Sequence, residues 1–377
     1  MVKKRCRITC WSLYLALAAW LMPAAGALRA TSLAAIAAGF NHFLALGRDG
    51  TVWVWADDHS GAPEGSKQGQ AVPTRVSPLA DIMAIAAGYD HFLALRHDGT
   101  VWAWGDNHNG ELGDGSVSTR TGPVKVVGLP PIKAISASSG HSLALDQDGT
   151  VWAWGDNHSG QLGDESGSSR QRPVQIKGLP AMTAVVAGLG ASAAISRDGT
   201  VWTWGDNRYG QLGDGTTANR PKPAQIKGLP PVQALAGGFG FFLSLTRDGT
   251  VWGWGNNYSG QLGDGSSENH PTPVQAMALP PITAIAAGGG HALALAKDGS
   301  VWSWGNNEYG QLGDGTTDSS ITPQRASRIP PMGSIAASSG HSLGLDRHDA
   351  LWVWGDKGCF GDADNPTPLH VQGLPRI

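Results

Sequence analysis

Histidine and aspartate are the residues of this chain with the most chemistry to offer, and both recur at fixed intervals. His42, His91, His141, His291 and His341 share one register, which Ala191 and Phe241 occupy at the two intervening positions. An imidazole can ligate a metal or carry a proton near neutral pH. Symmetry argues against both roles, because a repeat sets equivalent residues on a ring, too far apart to share a metal held at about 2 Å per ligand bond. The pattern predicts structural histidines instead, each bonding turn backbone through a ring nitrogen. Aspartate recurs in Asp49-Gly50, Asp98-Gly99, Asp148-Gly149, Asp198-Gly199, Asp248-Gly249 and Asp298-Gly299. These pairs read as hairpin punctuation, with glycine supplying the positive φ. A catalytic carboxylate is needed once, not in every unit. Loops such as Gly213-Asp214-Gly215-Thr216 lack the alternating oxygen ligands of a calcium loop, and they do not lead from a strand into a helix as a phosphate loop does. No catalytic residue, metal site or cofactor is expected, and the chain reads as a non-enzyme.

The elements that carry these residues are set out by tryptophan. The tripeptide Trp-x-Trp occurs at Trp53/Trp55, Trp102/Trp104, Trp152/Trp154, Trp202/Trp204, Trp252/Trp254, Trp302/Trp304 and Trp352/Trp354, spaced 49 residues once and 50 thereafter. Only Trp11 and Trp20 lie outside the series. In the sixth copy Ile282 to Ala287 predicts a first strand, Gly288-Gly289-Gly290 a turn, and His291 to Ala296 a second strand. Ser300 to Trp304 predicts a third strand after Asp298-Gly299, and a fourth lies near Pro323 to Ala326, where proline suits an edge. A long loop through Leu312 precedes that edge strand. Leu112, Leu162, Leu212, Leu262 and Leu312 are expected to fold such loops back onto their blades. Four short strands per copy and seven copies predict an all-β, seven-bladed β-propeller of four-stranded antiparallel blades over residues 31–377.

Alternation along the third strand puts both indoles of a copy on one face. Val54, Ala103, Ala153, Thr203, Gly253, Ser303 and Val353 stand between them, mostly small, as the indoles of a neighbouring blade would need opposite them. All fourteen repeat tryptophans are therefore assigned to packing between blades. Copy one departs from the others at Ala56 and Ala62-Pro63-Glu64. Copy seven departs at Gly358-Cys359-Phe360 and has Ala350 in place of the turn glycine, so these two copies are expected to be ring neighbours.

Residues 1–27 read differently. Lys3, Lys4, Arg5 and Arg7 precede an apolar run from Ile8 to Met22, and Ala25-Gly26-Ala27 offers a small-residue cleavage site, the pattern of a secretory signal peptide. The run is shorter than the roughly 18 to 20 residues a membrane-spanning helix needs. The mature chain is expected to be exported, periplasmic or extracellular, monomeric and without a membrane span. Cleavage takes the net charge from −3 to about −7. A chain of that sign has no cationic excess for a phosphate backbone, so nucleic acid is excluded as a partner. Only Cys359 survives cleavage, so no internal disulfide can form.

The repeat resembles the regulator of chromosome condensation family. That family's order of an apolar residue, two small ones, Gly-x-x-His and an apolar strand is matched by Ile285-Ala286-Ala287-Gly288-Gly289-Gly290-His291-Ala292-Leu293-Ala294-Leu295. Trp254-Gly255-Asn256-Asn257, Gly260-Gln261-Leu262-Gly263 and Pro273-Val274 match its linked elements. The resemblance implies a seven-bladed propeller and leaves the activity open, because one scaffold hosts unrelated functions. Nucleotide exchange on a small GTPase is one implied activity. A signal peptide opposes it, as does the constant repeat length, which leaves no room for an inserted wedge. Plant ultraviolet photoreceptors are similar propellers, but no tryptophan of this chain falls where their sensing indoles lie. Secreted bacterial propellers that inhibit β-lactamases by capping them with one face resemble it in style, though their blades are shorter.

The function expected is that of an exported, non-catalytic scaffold for an unidentified protein partner. Inhibition of a secreted enzyme and binding of a carbohydrate or surface polymer are the alternatives. The binding residues are sought where the repeats stop being alike. The turn between first and second strands carries Phe40, Tyr89, Leu189 and Phe239 in four copies but Ser139, Gly289 and Ser339 in the others. With Phe241, which replaces a histidine, these bulky residues are predicted to anchor the partner.

Overall fold

The computed structural model describes residues 33–39, 42–56, 73–356 and 365–371. Within them are seven four-stranded antiparallel sheets and no helix, so none of these residues forms a helix long and apolar enough to cross a membrane. Each sheet uses consecutive strands in simple order, as in the sixth blade with Ile282–Ala287, His291–Ala296, Val301–Gly305 and Ser320–Arg325. The third strand runs one residue further than expected. The fourth starts earlier, at Ser320, because Gly305 pairs with it.

First strands touch one another around the ring and line its centre, while the proline-bearing fourth strands form the rim. Proline is tolerated there because an edge strand has no outer partner for its missing N–H. The second strand is buried on both faces in blade after blade, for example His291–Ala296 and Phe241–Thr246. It reads as a continuous apolar run because each blade lies between two others.

The tryptophan pair projects onto the preceding blade. Trp154 packs with Leu93, Leu95, Ala103, Leu112 and Val126 of the second blade, and Trp152 lies beside it, half-buried. The small residue between the second blade's own indoles, Ala103, thus receives the third blade's Trp154. The two indoles of a pair both pack between blades, as Trp152 with Trp154 and Trp202 with Trp204 do, but they are not equally buried. Trp55, Trp104, Trp154, Trp204, Trp254, Trp304 and Trp354 are buried, whereas Trp53, Trp102, Trp152, Trp202, Trp252, Trp302 and Trp352 are partly exposed. The first indole of each pair lies one step nearer the Asp-Gly hairpin, where the sheet meets solvent.

Trp104 is a second departure from the expected arrangement. The residue it meets on the first blade is Val54, not a small one, together with Leu44, Leu46 and Val76. Its ring also stacks on Phe92 of its own blade, with centroids 5.2 Å apart and planes 19° from parallel. Phe92 stands directly opposite Trp104 across the strand pair, where Ser142 faces Trp154 and Ser192 faces Trp204. Trp104 therefore packs within its blade as well as between blades. Its role remains structural, but the large-against-small rule does not hold at this interface.

The ring closes between the first and last blades. Leu33, Phe43 and Trp55 share one core with Leu343, Val353 and Trp354. Arg48 donates to Asp349 at 3.3 Å across the same seam. Among the described residues no strand is exchanged there: the last blade draws its four strands, ending with Asn365–His370, from the C-terminal repeat. One detail of the seam differs from expectation. Asp349, with φ of 63°, holds the left-handed turn position, rather than Ala350. Aspartate tolerates that conformation where alanine is strained, so the substitution for glycine falls one residue earlier. Ala62-Pro63-Glu64 and Gly358-Cys359-Phe360 lie outside the described residues.

Trp204 is the indole on which one interface closes, packed with Leu143, Leu145, Ala153 and Leu162 of the third blade. Replacing Trp204 by Ala should lower stability by about 3 to 5 kcal/mol, the cost of emptying a large aromatic site in a core. Urea denaturation checks this, and an unchanged midpoint would show that the indole does not hold the blades together.

Candidate functional site

Blade after blade ties its turn between first and second strands to the residue after its third strand. Asp106 N–H donates to the Asp90 carbonyl at 2.7 Å, Asp156 to Gly140 at 2.6 Å, Asp206 to Gly190 at 2.8 Å and Asn256 to Gly240 at 2.8 Å. The turns and the loops that begin at these residues therefore share one face of the ring. The Asp-Gly hairpins and the Pro-Pro connections occupy the other, with Ile132 N–H bonded to the Gly99 carbonyl at 2.9 Å.

The long loops are held by an asparagine. Asn157 is fully buried, its Oδ1 accepting from Leu162 N–H at 3.0 Å and its Nδ2 donating to Asp164 Oδ1 at 2.8 Å and the Ser168 carbonyl at 3.2 Å. Asn107, Asn207, Asn257 and Asn307 repeat the bond to the leucine. Those leucines are fully buried, so the loops do fold back onto the blades. The Asp-Gly-Thr loops are spent internally. Asp214 Oδ1 accepts from Thr216 N–H at 3.0 Å and its carboxylate pairs with Arg220; against partial burial, which raises it, the Thr216 hydrogen bonds and then the Arg220 charge hold its pKa below the usual range. Among the described residues no group of three or more His, Cys, Asp or Glu is placed to hold a metal ion.

The histidines are fully buried and reach across blade interfaces. His42 Nε2 meets the Gly88 carbonyl at 3.1 Å, a turn-backbone bond of the expected kind. His91, His141 and His291 instead meet Ser142, Ser192 and Ser342 of the next blade at 2.9, 2.8 and 2.8 Å. Ser142 Oγ donates onward to the Glu111 carbonyl at 3.0 Å, so it accepts from His91, which carries its proton on Nε2. The difference has a steric cause. The first blade faces Phe92, which has no hydroxyl, so His42 packs edge-on against that ring and turns to backbone. The same register explains the exceptions: Ala191 makes room for Phe242, and Phe241 fills the space that Ala292 leaves.

That pairing corrects the reading of Phe241. Its side chain is fully buried, at 0% exposure, within the core between the fifth and sixth blades. It is a volume exchange across an interface and not a surface anchor. Phe40 lies outside the described residues. Tyr89 is half-buried on the second blade and does not line the cavity described next.

Leu189 and Phe239 are brought together. They line a cavity of about 180 Å³ that crosses the fourth blade on the turn face. Ser139, Asp156 and Ser159 of the third blade form one wall, and Asp206, Arg208 and Tyr209 of the fourth line it with Leu189. Tyr209 lies 6.1 Å from Phe239, ring centre to ring centre, and Tyr258 stands perpendicular to Tyr209 at 6.0 Å. Tyr258 is 70% exposed. Gly240 permits Tyr209 to lie here: a Cβ there would sit 2.5 Å from the Tyr209 ring, and its φ of 70° is itself left-handed. Tyr209, Arg208 and Tyr258 were not among the anchors expected from sequence. Their signal was present in the two positions before Gly-Gln-Leu-Gly, which read His158-Ser159, Arg208-Tyr209, Tyr258-Ser259 and Glu308-Tyr309 in successive copies.

Carboxylates dominate the electrostatics of this face. Burial and the neighbouring Asp106 carboxylate push Asp90 up to about 6, and burial raises Glu111 as well. Asp206, nearly buried, pairs with Arg208 at 2.8 Å. Asp156 accepts from Gln161 Nε2 at 2.8 Å and pairs with His158.

A ring of sheets buried on both faces, carrying the Gly-x-x-His turn in three of its blades and the Gly-Gln-Leu-Gly loop in four, defines a propeller of the regulator of chromosome condensation type. The RCC1-like domain model matches residues 20–280, and RCC1 repeat models match 282–311 and 298–345, so the chain belongs to the RCC1-like family. Solved structures agree on the fold. Human WBSCR16 is 24% identical with a TM-score of 0.74, covering 86% of this chain and 94% of its own. Yeast RCC1 (Prp20), solved bound to Kap60, is 22% identical with a TM-score of 0.76, covering 96% and 91%. The CRINKLY WD40 ectodomain of the Arabidopsis thaliana receptor kinase ACR4 is more distant, 16% identical with a TM-score of 0.52, covering 89% and 98%. No protein of curated function matches the chain.

The buried histidines make stability depend on pH. Burial lowers His42, His141 and His341 to about 4, and His91 and His291 to about 3. An unfolded histidine titrates near 6.5. Between about 6.5 and 4 the unfolded chain therefore binds protons that the folded chain refuses, and stability falls as pH falls. Asp90 and Glu111, both raised in the fold, oppose this with a gain on acidification, two groups against five. The melting temperature should be flat above about pH 7 and drop steeply between pH 6.5 and 4. The double substitution His291→Phe with Ser342→Ala, which copies the native Phe241 and Ala292 pairing, should fold and bind about one proton fewer across unfolding. An identical acid slope would show that the histidines do not set it.

Proposed function

We propose that the chain is an exported, non-catalytic scaffold that binds a partner protein through the turn face of its third to fifth blades. The observation that carries this reading is the cavity across the fourth blade, where Leu189, Phe239 and Tyr209 come together. Packing does not require bulk there, since Gly289 and Ser339 serve at the equivalent position. Aromatic side chains gathered in a concavity with a polar rim are the usual anchors of protein interfaces. Propellers of this family supply the rigid frame: yeast RCC1 (Prp20) has been solved in complex with Kap60, a protein partner. The apolar leader at residues 8–22 and its small-residue exit support export. Inhibition of a secreted enzyme is a special case of the same geometry.

A carbohydrate is the second reading, favoured by the outward Tyr258 ring against Tyr209, its backbone N–H held by Asn256. The test is capture from the exported fraction on immobilised protein. Leu189→Ser with Phe239→Ser should abolish capture of a specific protein while shifting the melting temperature little, and Tyr89→Ser, outside the cavity, should leave capture intact. Undiminished capture by the double variant would move the binding face elsewhere. A glycan-array signal lost on Tyr258→Ser would transfer the site to the second reading.

A further inference from the structure

We propose that the cavity across the fourth blade selects a partner segment in which an arginine or lysine stands next to a large apolar side chain. This rests on the protein-binding reading above and adds the chemistry of the partner. The apolar half of the specificity comes from Leu189, Phe239 and Tyr209. The cationic half comes from charge. Asp90, Asp106, Glu111, Asp156, Asp206 and Glu308 all belong to the turns and loop starts of this face. The arginines that start the outer strands of the second to fourth blades are already spent, Arg120 on Asp114, Arg170 on Asp164 and Arg220 on Asp214. Arg208 is the cation that lines the cavity itself. An incoming anion would meet a field of the wrong sign, and an incoming cation meets Asp156 on one wall and Asp206 on the other. The exposed Tyr258 ring, set against the cavity-lining Tyr209, offers a face for a cation at the rim.

Arg208 acts in this scheme as an internal stand-in. Its guanidinium is 59% exposed, yet it holds the nearly buried Asp206 at 2.8 Å. In the third and sixth blades the glutamine of Gly-Gln-Leu-Gly donates to that loop position, Gln161 to Asp156 at 2.8 Å and Gln311 to Asn306 at 2.7 Å. In the fourth blade the corresponding donor, Gln211 Nε2, is buried without a partner. Asp206 bonds the arginine instead of the glutamine that its neighbours use. A partner cation can take the place of Arg208 on this carboxylate.

The probes are three fluorescein-labelled octapeptides of sequence Ser-Ser-X-Phe-Leu-X-Ser-Ser, with X as Arg, Ser or Glu, read by fluorescence anisotropy on the full chain. The arginine peptide should bind about tenfold more tightly than the serine peptide and weaken as salt rises, and the glutamate peptide should not bind. Asp156→Asn should cost the arginine peptide about fivefold and leave the serine peptide unchanged, while Phe239→Ser should weaken both. Arg208→Ser, at an exposed position that spares the fold, should tighten the arginine peptide about threefold by freeing Asp206. Equal binding of all three peptides, tighter binding of the glutamate peptide, or binding of none overturns the cation rule. If capture from the exported fraction still depends on Leu189 and Phe239, the scaffold reading survives that failure. If capture is also independent of them, both fall.

Discussion

The ring depends on one contact, the seating of an indole against the Gly-Gln-Leu-Gly loop of the preceding blade. Trp204 Nε1 donates to the Gln161 carbonyl at 2.8 Å, and Trp154, Trp254 and Trp304 do the same to Glu111, Gln211 and Gln261 at 2.7, 2.9 and 2.8 Å. The glycine of that loop permits the approach: a Cβ on Gly163 would lie 2.9 Å from the Trp204 ring nitrogen. Trp354 sits as close to Gly313, though its N–H is buried without a partner. An indole supplies apolar area and a donor in a single side chain. The area packs the neighbouring sheet, and the donor satisfies a loop carbonyl that would otherwise be buried without water. Because each blade offers the ring and the one before it receives it, the interaction runs in one rotational sense. A chain that repeats it must close on itself or leave one indole and one loop unsatisfied.

This explains why the fold was legible. The two halves of the contact recur together from copy to copy, fifty residues apart, and a period that short leaves room for one blade and nothing else. Strand boundaries were legible to a residue or so for the same reason, with Asp-Gly and Gly-x-x-His marking the turns. The fourth strand was less clear because Pro271 and Pro273 remove donors along it, so it carries little apolar alternation and pairs through a bulge beside Gly255. The serine partners of His91, His141 and His291 were not legible. They lie on the next blade, one residue beyond that blade's own histidine register, and the relation appears only when Ala191 is set against Phe242 and Phe241 against Ala292. Trp104 shows the same limit, since its stack on Phe92 depends on a second-strand residue that is serine or alanine in most other copies.

The candidate site was half legible for a related reason. Leu189 and Phe239 departed visibly from glycine and serine in a turn that every copy shares, and the structure places them in one cavity. Phe241 departed just as visibly from histidine, yet its departure answers a packing need. Sequence alone does not separate the two, since a large side chain replacing a small one looks the same whether it faces solvent or a neighbouring alanine. Tyr209 and Arg208 went unnoticed because the copies vary freely at their positions, so no consensus existed for them to break.

The same division of labour shapes what the molecule can vary. Residues that touch the next blade are constrained in pairs, because a change in one, such as Ala191, must be matched by another, such as Phe242, or leave a void or a clash. Residues in the turn and before Gly-Gln-Leu-Gly project from loops whose backbone is already fixed by Asn157, Asn207 and their equivalents. Their side chains are held in place by the loop without holding the loop in place. Gly240 and Tyr209 show a coupling that persists on this face, and it is local. A surface of this kind can change its chemistry blade by blade while the ring beneath stays constant. The acidic, aromatic arc over the third to fifth blades is one such patch, set on a frame whose stability does not depend on it.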